Sequence, residues 1–69
     1  MVEVFKTNVD SVAASEELHA ELQFLFPTCK INFDLDDCDR ILRIEGNGFN
    51  IETISKILIR SNYTCEVLS

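Results

Sequence analysis

Sixty-nine residues with 46% apolar content and twelve Asp and Glu against six Lys and Arg, a net charge of −6, suffice for a single domain with a thin core and leave no room for a second one. The negative field repels phosphate backbones and anionic lipid headgroups, so nucleic acid is not an expected partner. The longest apolar runs are only a few residues, and the N-terminus lacks a basic segment followed by an apolar one; neither a membrane span nor a signal peptide is predicted, and a cytoplasmic location is expected.

Val2 to Thr7 alternates and is rich in strand formers, which predicts a first strand with Val2, Val4 and Lys6 on one face and Glu3, Phe5 and Thr7 on the other. Asn8 and Asp10 offer turn and N-cap chemistry. After them Val12, Leu18, Leu22, Leu25 and Phe26 recur at helical spacing, with Glu16, Glu17, Glu21 and Gln23 opposite, until Pro27 removes a backbone donor and ends the helix. Cys29, Ile31, Phe33 and Leu35 alternate with Lys30, Asn32 and Asp34 as a second strand. Asp36 to Asp39 is a polar turn, and Arg40 to Glu45 returns as a third strand with Leu42 and Ile44 inward and Ile41, Arg43 and Glu45 outward. Gly46-Asn47-Gly48 breaks the chain, Asn50 caps a second helix whose apolar face is Ile51, Ile54, Ile57 and Leu58, and Tyr63 to Leu68 alternates as a fourth strand.

Strand, helix, hairpin, helix, strand predicts an α+β, ferredoxin-like βαββαβ sandwich over residues 1–69. Two helices cover one face of a four-stranded antiparallel sheet of order 4-1-3-2. In that order the first loop and the hairpin tip share one end. Cys29, Cys38 and Cys65 are odd in number and far apart, with no Cys-x-x-Cys, so neither a disulfide framework nor a zinc knuckle is expected.

Leu18, Leu22 and Leu25, the run Ile31-Asn32-Phe33-Asp34-Leu35, Leu42-Arg43-Ile44, Ile51 to Leu58 and the ending Asn62-Tyr63-Thr64-Cys65-Glu66-Val67 together make the chain resemble the heavy-metal-associated domain family along almost its whole length. Members of that family are copper or zinc chaperones and soluble modules of metal-pumping ATPases. Their Met-x-Cys-x-x-Cys loop falls best on Val9-Asp10-Ser11-Val12-Ala13-Ala14, so Val9 keeps the apolar anchor while Ser11 and Ala14 stand where the thiolates would be. Copper(I) needs soft sulfur donors, which a hydroxyl and a methyl cannot replace. The resemblance therefore implies the fold without the metal site, and no cofactor is expected.

Other chemistry is sparse. Glu45 falls eleven residues after Asp34, as in an EF-hand, but the sixth loop position is Asp39 where glycine makes the turn, and Cys38 is the fifth. His19 is alone on its helix, and Gly46-Asn47-Gly48 has no following Lys-Ser/Thr. No nucleophile–base pair is brought together by the topology, so an enzyme is not expected. Two surfaces remain. On the sheet face away from the helices, Phe5, Ile41 and Leu68 with Arg43 in the rim form a candidate interface for a protein partner or a homodimer. The alternative is a small-ligand or metal-ion site at the loop end, from Asn8, Asp10, Asp36, Asp37 and Cys38.

Overall fold

A computed structural model describes residues 1–68 of the chain. The elements run β1 (Val2–Thr7), α1 (Val12–Leu25), β2 (Lys30–Asp34), β3 (Ile41–Glu45), α2 (Ile51–Arg60) and β4 (Cys65–Leu68). The strands form one antiparallel sheet in the order β2-β3-β1-β4, the expected α+β ferredoxin-like layout. Among the described residues no helix is long and apolar enough to cross a membrane.

Each helix is bounded by local chemistry. Ser11, not Asn8 or Asp10, caps α1: its hydroxyl accepts from the Ala14 N–H at 3.1 Å. Asn8 turns instead toward β4, where its side-chain oxygen accepts from the Thr64 N–H at 2.8 Å. Asn50 caps α2 by accepting from the Thr53 N–H at 2.8 Å. Phe49 just before that cap is buried together with Ile54 in the first turns, the arrangement of a hydrophobic staple that sets the angle at which the chain enters the helix. α2 ends with Asn62 in the left-handed region, φ 69°, as the N–H groups of Asn62 and Tyr63 return to the carbonyls of Ile59 and Leu58. That is the Schellman pattern, with asparagine in the place glycine usually takes.

The core joins Val9, Leu18, Leu22, Ile54, Ile57 and Leu58 to Phe5, Ile31, Leu42 and Ile44 from the sheet. α1 packs on β2 and α2 on β4, and the other sheet face is left without a helix. Residues directly opposite on neighbouring antiparallel strands share a face, so the pairing of Phe5 with Leu42 and with Val67 carries Phe5 into the core, where it is fully buried. This corrects its expected outward position. The alternation in β1 is ambiguous because both faces carry apolar side chains, and the burial of an aromatic ring decided between them. On α1 the buried stripe is Ser15, Leu18 and Leu22, while Val12 and Leu25 at the two ends are exposed.

Candidate interaction surface

The uncovered sheet face is a grid set by the ladder registers. Asn32, Arg43, Val4 and Leu68 form one row across the four strands; Asp34, Ile41, Lys6 and Glu66 form the next; Lys30, Glu45 and Val2 form a third. Ile41, Arg43 and Leu68 lie where the sequence placed them. Phe5 is absent from this face, and Val4 occupies its centre instead, half-buried between Arg43 and Leu68. Val2 and Leu68 are exposed, and Val4 and Ile41 are half-buried. Opposite charges frame these four side chains: Arg43 Nη1 lies 3.2 Å from Glu45 Oε1, and Lys6 Nζ lies 3.7 Å from Asp39 Oδ1. Both pairs are about half exposed, so screening leaves each worth little for stability.

The loop end is knitted by backbone and hydroxyl bonds. Thr7 is buried; its N–H donates to the Asp39 carbonyl at 3.1 Å, and its hydroxyl donates to the Arg40 carbonyl at 2.6 Å while accepting from the Val9 N–H at 3.2 Å. This ties the β1–α1 loop to the start of β3, as the topology predicted. Donor atoms of Asp37, Cys38 and Asp39 come within 4.8 Å of one another. Neither Asp36 nor Asp10 belongs to that cluster, and Asn8 is engaged with Thr64. Three carboxylates of the tip, those of Asp34, Asp37 and Asp39, are themselves occupied in folding it. Asp34 Oδ1 accepts from the Asp36 N–H at 3.2 Å, Asp37 Oδ1 accepts from the Asp39 N–H at 2.8 Å, and Asp39 faces the Lys6 ammonium. The first two are Asx turns, which short acidic side chains adopt without any ion.

The place where the resemblance would put two thiolates is occupied by the Ser11 hydroxyl and the Ala14 N–H, held together as a helix cap. The cysteines lie elsewhere and are unpaired: Cys29 buried, Cys38 exposed, Cys65 between the two. Burial pushes the Cys65 thiol above its ordinary value of 9.0, and a hydrogen bond from the Ser55 hydroxyl pulls part of the way back. Such a thiol is a packing residue and not an activated nucleophile.

His19 is a half-buried boundary residue whose Nε2 lies 3.0 Å from the Ile31 carbonyl. Beside it, α1 and β2 enclose an open groove of about 550 Å³ lined by Val12, Ser15, Glu16, His19, Phe33 and Leu35 among others. Nothing in the residue spacing foretold this groove. It arises because Phe33, in the outer strand β2, and Leu35, just after it, are only partly buried against the core. No protein-family model matches the chain, and no curated protein matches it at a significant level.

Proposed function

We propose that this is a non-catalytic interaction module related to heavy-metal-associated domains, in which the metal loop has become a helix cap and the open sheet face serves as the binding surface for a protein partner or a second copy. The observation that carries the reading is the row through Arg43, Val4 and Leu68, which with Val2 and Ile41 sets four apolar side chains among charges of both signs on the face no helix covers. An apolar centre with a polar, hydrogen-bonding rim is the usual composition of a protein interface. The relationship to the metal carriers is supported by the fold, by Val9 fully buried just before the loop, and by the Ser11–Ala14 contact in the place of the ligand pair.

Leu68→Lys tests the surface, since an exposed position near the end of an outer strand accepts lysine at a cost within about 0.5 kcal/mol. Sedimentation and proton–nitrogen NMR across a concentration series, for the protein alone and with any isolated partner, should show association weakened in the variant and the fold retained. Association that is unchanged by Leu68→Lys and by Ile41→Lys together would remove the open face from consideration.

A further inference from the structure

β2 is an outer strand of the sheet, and one side of its backbone is unpaired. The Gly46 N–H donates to the Met1 carbonyl, so in the β1–β3 ladder the hydrogen-bonded partners are Glu3 with Ile44 and Phe5 with Leu42. Arg43 and Ile41 then direct their peptide groups at Asn32 and Asp34 of β2. The peptide groups of Cys29, Ile31 and Phe33 consequently face away from the sheet. Two side chains of α1, spaced four apart, reach over and cover successive carbonyls: Gln23 Nε2 donates to Cys29 at 3.0 Å, and His19 Nε2 lies 3.0 Å from that of Ile31. The series stops there. Among the described residues, the Phe33 carbonyl and the N–H groups of Ile31 and Phe33 have no protein partner.

The residues on this bare edge read Lys30-Ile31-Asn32-Phe33-Asp34, which is self-complementary in charge and size when reversed. We propose that the edge pairs antiparallel with the β2 edge of a second copy about a two-fold axis through Asn32. Lys30 of each copy then stands opposite Asp34 of the other, Ile31 stands opposite Phe33, and the two Asn32 amides meet on the axis. A two-fold interface is isologous, so one complementary pair occurs twice. The register also satisfies the backbone: Ile31 and Phe33 both present their peptide groups outward, and each opposed pair exchanges two hydrogen bonds. The Ile31 carbonyl keeps a lone pair for this beside the one His19 uses. Of the neighbouring registers that match outward-facing residues, one sets Lys30 against Asn32 and the other sets Asp34 against Asn32. Neither uses both charges within the strand.

The pairing deepens the interaction-module reading by naming a second copy as the partner and rests on it for its role, but its geometry is independent of the open face. It would join two open faces into one continuous eight-stranded surface. A five-residue edge buries less than the ~1,200 Å² of a standard stable interface, so the dimer is weak and concentration-dependent.

Charge swaps test it. Sedimentation equilibrium up to about 1 mM at physiological salt should show dimers of the natural protein, and K30D and D34K should each weaken self-association at least about tenfold, because like charges then oppose at both ends of the pairing. An equimolar mixture of K30D and D34K should associate again, since each copy supplies the charge the other lacks, while L68K should dimerise as the natural protein does. Circular dichroism verifies folding. If K30D is destabilised by Glu45 beside it, Asn32→Asp, which stands beside Arg43, replaces it in the weakening test alone, placing like charges face to face on the axis. A protein monomeric throughout the range overturns the proposal, as does a mixture no more associated than its components. A dimer lost in L68K but indifferent to the swaps overturns the edge pairing and leaves the open-face reading standing; a dimer indifferent to L68K and lost in the swaps does the reverse.

Discussion

Truncating Phe5 to alanine is expected to unfold a large share of the molecules. Phe5 is fully buried at the middle of β1, between β3 and β4. Its ring removes of order 150 Å² of apolar surface from water, which at about 25 cal/mol per Å² is worth roughly 4 kcal/mol. Measured Phe→Ala losses in cores, about 3–5 kcal/mol, bracket that figure. A chain of 69 residues at roughly 0.05–0.15 kcal/mol per residue has only about 3–10 kcal/mol in total. Urea denaturation followed by far-UV circular dichroism, with Phe5→Leu as a milder step that keeps a measurable baseline and Val4→Ala as the control on the opposite face, reads the effect directly. Val4→Ala should cost about 1 kcal/mol or less, since that side chain is only half-buried. A Val4→Ala loss larger than that of Phe5→Ala would refute the reasoning, because it would mean that β1 sits one residue out of register with its faces exchanged.

Gly46→Ala should destabilise by more than the usual glycine-to-alanine change. Gly46 has φ 144°, and a Cβ there would lie 3.1 Å from the Cys29 Cα and 3.0 Å from its sulfur, so a loss of about 1–3 kcal/mol is expected in thermal or urea melts. For Cys65, a folded-state pKa raised above 9.0 means that the unfolded chain gives up its proton first as pH rises. Its contribution is present in full below 9.0 and is lost as pH climbs from there through the raised folded value. Cys65→Ala should flatten the alkaline fall in the urea midpoint. In timed alkylation Cys38 should react first, then Cys65, then Cys29, in the order of their exposure.

Element order and strand faces were legible wherever one period dominated. Ile31 stands between Lys30 and Asn32, Leu42 and Ile44 alternate with Arg43 and Glu45, and the structure buries all three. β1 was not legible in this way, because Val2 and Val4 on one face and Phe5 on the other satisfy alternation equally well. Charge did not discriminate either, since Lys6 shares a face with Val2 and Val4 while Glu3 shares one with Phe5, where the structure leaves it half-buried opposite Ile44; the larger apolar area of the aromatic ring decided between the two faces. With Phe5 inward, the uncovered face holds Ile41, Arg43 and Leu68 of the expected set, and Val4 besides. Ser11 as the cap and Phe49 as its counterpart before α2 were equally invisible to periodicity, since each acts through a single contact at a helix start. The bare β2 edge follows from hydrogen-bond parity between strands and could be found only once the registers were known.

β1 is the second-from-edge strand of the sheet, bonded on one side to β3 and on the other to β4, with Val4 directly opposite Leu68. Of these four strands, the first to be synthesised is therefore completed by the last. Until Cys65 to Leu68 has emerged, β1 has only β3 beside it, and Phe5 lacks the Val67 neighbour that closes one side of its site. Local hairpin pairing of β2 with β3 can form early, but sheet closure waits on the β1–β4 pairing, the most distant in sequence among the described strands, and such non-local pairing slows folding. During synthesis the nascent chain carries an exposed strand edge and an unfilled core, the state in which a holding chaperone has the most to grip.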